Sequence, residues 1–471
     1  MKKYTVLIVW CFIAGLLLFG CGDAEVENTK NPVAQSKSGR ITIIVNDGPS
    51  DTEPYQVAKW DLKVDMFEKK YPDMMIEVQD WEYEPQVFIT RAAGGLLSDV
   101  IGTWATEGEI LITNQLIADM TKEITSWKDF KHLRPIILQP FHRNQKYYAF
   151  PMSAYSMGLF YNKKIFREAG VVDEDGGAKP PETWEEFVET AKKIKNAEKG
   201  ISGFSILGGH HARAGWHFLN WGWQGGGDFE VKEDGRWKAA FDGPGVVRAL
   251  QFIKDLKWKH DVLQENVLED QTDIMQNFAA GRVGMFIEAA HADALIALRE
   301  QYEFDLADLG IAPLPEGPGG RFVQMGADYL CFRPDIPENK RKAAFQWCVF
   351  NVSNEWKKAE VKLRKEHGLP VGAPYVPVFT GERLKQWEEI IEKERTIPEF
   401  KEYKDVVKYL RTEPPYYCQQ LYREVLGPAV QEVLTKEDAD PKEILSQKAD
   451  MFQDRYLDEI EEVHKGSKKT N

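Results

Sequence analysis

The pattern of apolar and polar positions predicts strands that alternate with helices. Residues 41–45 (ITIIV) are a β-branched run followed by turn residues, which is typical of a buried strand. Apolar side chains then recur at spacings of three and four over residues 57–71, which predicts an amphipathic helix that ends at Pro72. The same reading predicts a strand at 75–81, a helix at 87–95 and a strand at 99–104.

This βαβαβ order predicts a parallel sheet with helices on both faces. Further along, Thr183 and Glu186 form the sequence pattern of a capping box, which predicts a helix that runs to about residue 196. The remaining clear elements are helices at 246–256 and 274–280, a strand at 283–287, and mostly helical segments from about 339 onward.

The first forty residues have the pattern of an exported, lipid-anchored protein. Lys2 and Lys3 precede an apolar run at 6–19, which is too short to span a bilayer comfortably. Cys21 follows at the place where a bacterial lipobox has its lipidated cysteine. We therefore expect a signal peptide at 1–20 and a flexible tether at 21–39, which is small and polar. The alternative is a plain signal peptide or a single anchor helix with an incidental Cys21.

Composition indicates a globular, acidic protein. The chain has 471 residues, of which 43% are hydrophobic, so two or three domains are expected. Its formal net charge is −14, and phosphate backbones attract basic faces, so nucleic acid is excluded as a partner. The cysteines outside the leader, apart from Cys21, are Cys331, Cys348 and Cys418. They allow at most one disulfide, and their apolar neighbours favour buried thiols.

Motifs for catalysis are mostly absent. The sequence contains no G-x-S-x-G, no GxxxxGK[ST] and no HExxH. Paired carboxylates stay open, because such pairs are usually distant in the chain. His210, His211 and His217 crowd one segment and offer metal ligands, but neither a cysteine nor an HxxxH spacing supports that reading. The alternative is a set of polar side chains leading into the helix around Trp216.

Seven segments, taken in order, resemble the extracellular solute-binding proteins of bacterial ABC importers, above all the carbohydrate-binding group of the maltose-binding type. They are FEKKYPDMMIEVQ, ITRAAGGLLSDVIGTW, YYAFPMSAYSMGLFYNKKIFREAG, PPETWEEFVETAKKI, FLNWGWQGGGDFE, FAAGRVGMFIE and LGIAPLPEGPGG. The resemblance runs from about Ile41 to Tyr456. Each segment is weak alone, and their order behind a lipobox makes the match specific.

The resemblance implies an α/β, type II periplasmic-binding-protein fold. Two lobes, each an α/β sheet flanked by helices, are joined by hinge crossings and close on ligand. The crossings are expected at residues 150–161 and 311–317. The expected division is 40–152 plus 313–372 for lobe one and 153–312 plus 373–465 for lobe two.

Topology and resemblance together predict the ligand site. The carboxyl ends of parallel strands face the crevice of an open sheet, which places Asp47, Trp104 and Glu107 there. Sugars present apolar ring faces and a rim of hydroxyls, so they call for aromatic platforms with polar groups around them. The positions that the resemblance adds are Tyr155, His210, His211, Arg213, Trp216, His291, Tyr416 and Tyr417. For each aromatic residue the alternative is a place in the core, which is favoured for Trp221 and Trp223.

His291 marks a departure from the family. The sequence Glu288-Ala-Ala-His291 stands where the family commonly has a Gly-Pro-Trp turn with an aromatic ring in the cleft. This puts a long stacked oligosaccharide in doubt and, with Arg213, His210 and His211, inclines the prediction toward a ligand with acidic groups.

The predicted function is capture of a sugar or oligosaccharide and its delivery to a membrane permease. The implied partners are ABC permease subunits with a separate ATPase and, through the lipid anchor, the outer face of the cytoplasmic membrane. We expect a monomer with no cofactor, no metal and no catalytic residue. The alternatives are a secreted polysaccharide lyase or glycosidase, and the same fold binding a peptide, a polyamine or a metal.

Overall fold

The computed structural model describes residues 39–46, 48–49, 54–195 and 200–460. The predicted signal peptide (1–20), Cys21 and almost all of the predicted tether (21–39) lie outside these ranges, and so does Asp47. Those features therefore stay predictions. None of the helices in the described ranges has both the length and the apolar character needed to cross a bilayer.

Thirteen strands lie in the described ranges. They are β1 Ile41–Val45, β2 Met74–Val78, β3 Val100–Trp104, β4 His142–Arg143, β5 Lys146–Tyr147, β6 Ala149–Asn162, β7 Ser202–Ser205, β8 Glu230–Glu233, β9 Arg236–Ala239, β10 Val283–Ala289, β11 Leu309–Ala312, β12 Val323–Phe332 and β13 Leu410–Arg411.

Seventeen α-helices lie in the same ranges. They are α1 Pro54–Lys70, α2 Pro85–Ala93, α3 Gly108–Thr113, α4 Thr121–Ser126, α5 Pro135–Leu138, α6 Lys163–Glu168, α7 Trp184–Lys195, α8 His211–Gln224, α9 Pro244–Trp258, α10 Gln271–Ala279, α11 Ala292–Ile296, α12 Glu338–Asn351, α13 Asn354–Glu366, α14 Gly381–Glu394, α15 Cys418–Gln420, α16 Gly427–Thr435 and α17 Pro441–Phe452. Short 3-10 or π segments are Ala105–Glu107, Phe130–His132, Gln139–Phe141, Ala297–Gln301, Leu306–Asp308, Lys401–Lys408, Leu421–Leu426 and Gln453–Leu457.

The predicted strands and helices are confirmed, with small shifts at their ends. The strand predicted at 41–45 is β1, and the helix predicted at 57–71 is α1, which already begins at Pro54. Proline suits the first helical position because its fixed φ matches the helix and its missing N–H is not needed there. At α7 the Thr183 hydroxyl accepts a hydrogen bond from the Glu186 backbone N–H at 3.2 Å.

One mixed sheet runs through the molecule in the order β2-β1-β3-β12-β6-β10-β7. The strands β2, β1 and β3 are parallel, as predicted for a βαβαβ unit. The strands next to them are not: β12 is antiparallel to β3, and β6 is antiparallel to both β12 and β10. The sheet as a whole is therefore mixed, because the chain returns through β6 and β12 in opposite directions.

Strand β6 belongs to both halves of this sheet. Its first part, residues 149–156, pairs with β12, and its later part, residues 157–161, pairs with β10. The predicted first crossing, residues 150–161, coincides with this strand. Side chains near its centre therefore lie between the two halves of the molecule.

Two separate hydrophobic cores are formed, one in each half of the sheet. The first contains Ile43, Val100, Phe150, Tyr329 and Trp347. The second contains Phe160, Trp184, Trp221, Phe286 and Leu426. We refer to the first core with the helices around it as the first lobe, and to the second core with its helices as the second lobe.

The first lobe extends further along the chain than the predicted boundary at 372. The prediction assigned residues 373–465 to the other lobe, yet Val376, Phe379 and Trp387 are buried in the first core. The ring of Phe379 lies 5.1 Å from that of Trp387. The amphipathic pattern of a helix such as α14 shows that one face is covered, but it does not show which core covers that face. For this reason the sequence did not predict the lobe boundary correctly.

The second crossing also lies later than predicted. Residues 311–317 were expected to cross, but the loop after them still contacts the second lobe, where the Gly319 N–H donates to the Gln224 carbonyl at 2.7 Å. Within β12, Val323 belongs to the second core and Met325 to the first. The chain therefore crosses between these two residues.

The expectation of buried thiols is confirmed. Cys331, Cys348 and Cys418 are all buried and none is in a disulfide. Burial raises the pKa of each thiol well above its usual value, which keeps the sulfur protonated and unreactive.

Candidate ligand-binding site

A cavity of about 830 Å³ opens between the two lobes. The first lobe supplies most of its wall, strands β6 and β12 supply residues such as Ser153 and Asp328, and the second lobe contributes His291, Ala292 and Asp293. Pockets for small molecules commonly enclose about 300 to 1,000 Å³ and often lie between domains. We call this space the cleft cavity.

Two of the predicted aromatic residues line the cleft cavity. Trp104 ends β3, is half-buried, and meets the ring of Tyr83 edge-on with centroids 5.3 Å apart. Tyr155, near the centre of β6, lies 5.3 Å from the predicted His291 and 6.4 Å from Trp216 between ring centroids. Burial raises the pKa of Tyr155 far above its usual value, so its hydroxyl stays a neutral hydrogen-bond donor.

Adjacent hinge strands place a carboxylate in the cleft cavity. The Ser153 hydroxyl on β6 donates to the Asp328 carboxylate on β12. Burial raises the pKa of Asp328, and the hydrogen bond from Ser153 partly opposes that rise. Asp328 remains exposed on its cavity side and can accept hydrogen bonds from ligand hydroxyls. Sequence reasoning missed both residues, because no motif marks them.

The carboxyl end of β1 also contributes a polar group. Asn46 is 4% exposed and lines the cavity. Its side-chain oxygen accepts the Gly102 backbone N–H at 2.8 Å, while its amide nitrogen has no partner among the described residues. A buried donor without an acceptor costs about 1–3 kcal/mol, and a ligand could satisfy this one only after neighbouring groups move, because the nitrogen has almost no accessible surface. The topological rule that selected Asp47 applies equally to its neighbour Asn46.

A charged triad from α13 lies along the first-lobe wall. Lys357 and Arg364 approach the Glu360 carboxylate at 3.1 and 3.5 Å. Burial alone would raise the pKa of Glu360, but the two cations outweigh it and hold the pKa well below its usual range. Glu360 is therefore ionised, and the triad carries a net positive charge. The amphipathic pattern of α13 gave no signal that these charges face a cavity.

Trp216 lies behind Tyr155 and does not line the cavity. Its indole nitrogen donates to Glu413 at 2.6 Å, and Gln324 and Tyr422 donate to the same carboxylate at 2.5 and 3.2 Å. Burial raises the pKa of Glu413 to about 7. Trp216 therefore supports the hinge side of the cavity wall through a buried polar network.

Glu107 and Tyr416 are buried away from the cavity. Glu107 accepts hydrogen bonds from Thr106 at 2.8 Å and from Tyr83 at 3.3 Å, and burial raises its pKa. The hydroxyl of Tyr416 donates to Glu109 at 2.5 Å, which joins the second lobe to the first. Neither residue belongs to the cavity lining, and their polar atoms are engaged within the protein, so their predicted ligand contacts stay predictions.

The four remaining predicted residues lie in the second lobe outside the cavity lining. His210 caps α8 by accepting the Arg213 backbone N–H at 3.3 Å, and the exposed His211 contacts Gln431 at 2.8 Å. The Arg213 guanidinium is near enough to lower the pKa of Glu288 in part. Tyr417 lies against another ring, that of Tyr456, at 5.2 Å.

The histidine segment does not assemble a metal site in the parts of the chain that the structure describes. No group of three His, Cys, Asp or Glu side chains there could hold an ion. His217 is instead buried among apolar neighbours, and that burial lowers its pKa to about 3. It is therefore a neutral residue of the second lobe.

Curated relatives match most of the chain at low identity. A binding protein of Brucella abortus (strain 2308) is 25% identical over 352 residues, which cover 72% of this chain and 77% of that protein. The diacetylchitobiose-binding protein DasA of Streptomyces coelicolor is 26% identical over 328 residues, which cover 67% of this chain and 72% of that protein.

Solved structures show the same architecture. The GacH receptor of Streptomyces glaucescens, solved unliganded and with acarbose, superposes with a TM-score of 0.66 at 19% identity, covering 88% of this chain and 98% of that one. UgpB of Mycobacterium tuberculosis, bound to glycerophosphocholine, gives 0.67 at 16% identity, covering 89% and 99%. The fold is the type II periplasmic-binding-protein fold, as predicted.

Two lobes, a strand shared between them and a cavity where they meet define a protein that binds a solute between its lobes. A sequence profile of the bacterial extracellular solute-binding protein family matches residues 63–364, more than half of the chain. The chain belongs to this family. Its place of action is therefore outside the cytoplasm, and the family's role is to bind substrates rather than to convert them.

Proposed function

We propose that this protein is the substrate-binding lipoprotein of an ABC importer and that it captures a sugar or oligosaccharide in the cleft cavity. The observation that carries the proposal is the lining of that cavity. Trp104 and Tyr155 line the cavity with aromatic rings, and Asp328 and Asn46 add a carboxylate and an amide side chain to the same wall. Sugar rings need this combination of flat apolar contacts and hydrogen-bonding groups.

The names of related proteins support a saccharide. DasA is named for diacetylchitobiose, and GacH was solved with acarbose. UgpB was solved with glycerophosphocholine, which is not a carbohydrate. A binding test should therefore include a non-carbohydrate solute. Acidic saccharides belong in that test because the α13 triad carries a net positive charge, although the cavity lining as a whole has as many Asp and Glu side chains as Lys and Arg side chains.

Delivery and anchoring complete the proposal. The cavity binds ligand, the lobes close on it, and the closed form is presented to permease subunits that work with a separate ATPase. Cys21 supplies the thiol that carries the lipid, and the protein acts as a monomer held at the membrane surface. The sequence at Cys21 and the family membership support this arrangement.

The test is a calorimetric titration of the soluble chain lacking residues 1–20 against a panel of ligands. The panel holds neutral, N-acetylated and acidic saccharides of one to four rings, together with glycerophosphocholine. Saturable 1:1 binding of a saccharide without its chemical conversion is the expected result. Binding of glycerophosphocholine alone, or turnover of a saccharide, would overturn the proposal.

A further inference from the structure

Exposed apolar side chains are concentrated in one segment of the first lobe. Among the described residues, seven large apolar side chains are at least 37% exposed, and four of them fall within residues 78–96. They are Val78 at the end of β2, Val87 and Ile89 on α2, and Leu96 after α2, with exposed fractions of 38%, 40%, 48% and 57%. Single exposed apolar residues are normal on a protein surface, whereas a contiguous group indicates a contact surface.

Contacts within this segment hold the four side chains in one region. The Ser98 hydroxyl donates a hydrogen bond to the Gln79 side chain at 2.8 Å, which brings the two ends of the segment together. The Arg91 guanidinium on α2 lies over the Trp81 ring at 4.9 Å and donates to the Leu96 carbonyl at 3.3 Å. We call the four exposed apolar side chains, Val78, Val87, Ile89 and Leu96, the α2 patch.

The α2 patch borders the cleft cavity. Gly48, Glu82 and Tyr83 all line that cavity. A Cβ at Gly48 would come within 2.5 Å of the Val78 side chain, so these two residues are in direct contact. The Tyr83 ring lies 5.6 Å from that of Phe88 on α2. A partner docked on the patch would therefore lie beside the space that holds the ligand.

The surroundings of the α2 patch are acidic. Residues 71–90 contain five acidic residues and neither lysine nor arginine. Four of these acids are exposed, and their carboxylates have no ion-pair or hydrogen-bond partner in the part of the chain that the structure describes. Exposed carboxylates without a cationic partner attract a basic surface. We call these four residues, Glu77, Asp80, Glu82 and Glu84, the acidic border.

This combination of groups fits a protein partner with a basic and partly apolar surface. Sugar rings stack on aromatic faces, whereas the α2 patch is aliphatic. An anionic membrane surface repels carboxylates. A second copy of this chain, docked through the same patch, would bring two acidic borders together. An apolar side chain flanked by Lys or Arg matches both the patch and its border.

We propose that the α2 patch is the surface through which the first lobe contacts the permease. An apolar side chain on an outward-facing loop of the permease packs on the patch, and Lys or Arg side chains beside it pair with the acidic border. The inference rests on the proposed function and names the surface that its membrane partner binds. The position of the patch beside the cleft cavity supports it, because the permease must receive the ligand from there.

The experiment is photo-crosslinking in cells that make both the protein and its importer. Ile89→Cys introduces a thiol in the patch, and a photo-reactive maleimide labels it, since Cys331, Cys348 and Cys418 are buried. After illumination, mass spectrometry identifies the captured protein. We expect a membrane protein with several spans and basic outward-facing loops.

Val172→Cys is the matched control for position. Val172 is 39% exposed and is followed by three acidic residues, but it belongs to the second lobe and does not line the cleft cavity. Its label should capture the permease at least about tenfold less than the label at position 89. Capture from both positions alike would mean that exposure and acidity alone are sufficient.

Charge reversal tests the acidic border. Glu77→Lys with Asp80→Lys, added to Ile89→Cys, reverses two border charges and leaves the cavity lining intact. We expect capture to fall about tenfold or more, because like charges then face the permease loops. Glu174→Lys with Asp175→Lys makes the same change of net charge in the second lobe and should leave capture unchanged. Urea unfolding of each variant checks that it is folded.

The outcomes distinguish this inference from the proposed function. Capture of the permease from position 89, lost only when the acidic border is reversed, supports the inference. Capture of a second copy of this chain or of any other protein, equal capture from position 172, equal effects of the two charge reversals, or no capture overturns it. The calorimetric titration then decides the proposed function separately: it stands if a saccharide binds and falls if none does. If the border variant does not fold, the comparison of positions 89 and 172 decides.

Discussion

The indole nitrogen of Trp216 lies 2.6 Å from the carboxylate of Glu413 and donates a hydrogen bond to it. The bond joins α8 to the segment before α15, and Gln324 on the hinge strand β12 donates to the same carboxylate at 2.5 Å. A side chain predicted to stack on ligand thus has its polar edge committed to a buried acid beside the hinge. The protonation of that acid affects the stability of the whole network.

Glu413 should make folding stability depend on pH. Its pKa is raised by burial to about 7 from an ordinary 4.5, so the folded state binds more protons than the unfolded state between those values. Stability therefore falls as pH rises from about 4.5 to 7, by about 3 kcal/mol in total. In urea unfolding at pH 5 and pH 8, Glu413→Gln should lose most of this difference. An unchanged pH dependence in the variant, relative to a Glu437→Gln surface control, would contradict the assignment.

Trp104→Ala should weaken ligand binding while leaving folding almost intact. The ring is half-buried at the cavity, and aromatic stacking platforms contribute about 1–3 kcal/mol, so affinity should fall roughly tenfold to a hundredfold. The buried Trp221, 2% exposed in the second core, is the control. Trp221→Ala should cost about 3–5 kcal/mol of stability. Titration calorimetry measures the affinity and urea unfolding measures the stability. A large loss of stability in Trp104→Ala with unchanged affinity would show that Trp104 is structural.

Glu360→Gln should destabilise the protein at neutral pH, because it leaves Lys357 and Arg364 without their counter-ion. We expect a loss of about 1–3 kcal/mol, as for other partly buried charged groups that lose a partner. The folded pKa of Glu360 lies below its unfolded value, so the carboxylate stabilises the protein above pH 4.5 and loses this effect as pH falls toward the folded pKa. The two proteins should therefore converge in stability in acid. If the stabilities of the two proteins differ by the same amount at every pH, that result would argue against the ion triad.

Ligand should compact the molecule. If the closed arrangement binds ligand better than the open one, a saturating saccharide shifts the population toward closure and raises the melting temperature. Small-angle scattering with and without the ligand measures the change. An unaltered radius of gyration at saturation would count against closure of two lobes.

Cys21→Ser should abolish lipid attachment, since only a thiol forms the thioether. Labelling cells with a radioactive fatty acid and recovering the protein tests this. Cys11→Ser, in the leader, is the control and should retain the label. Equal labelling of the Cys21 variant and the parent would refute the anchor.

The fold was largely predictable because its signals are local. The apolar period of α1, the β-branched run of β1 and the capping pattern at Thr183 each specify an element without reference to the rest of the chain. The resemblance then supplied the lobes. Local patterns do not show which elements pack against each other, and for that reason α14 was assigned to the wrong core.

The site was less predictable for the same reason. Trp104 and Tyr155 were found from strand ends and resemblance, and both line the cavity. Asp328 lies on an antiparallel strand whose sequence has no polar motif, and Lys357 lies on an ordinary amphipathic helix. Asp328 and Lys357 belong to the cavity wall only because the tertiary structure brings other lining residues next to them. Glu107, one turn past β3, follows the topological rule but rotates inward toward Tyr83.

The split first lobe has a consequence for biosynthesis. The Arg333 guanidinium contacts the Asp99 carboxylate at 3.1 Å across 234 residues of sequence, and β12 completes the same sheet beside β3. Because the first core also includes Trp387 on α14, a nascent chain cannot finish its first lobe until more than four-fifths of it has been made. Native pairings of such long range form slowly. We expect this delay to help keep the chain unfolded during the interval in which an exported protein is threaded through a translocation pore.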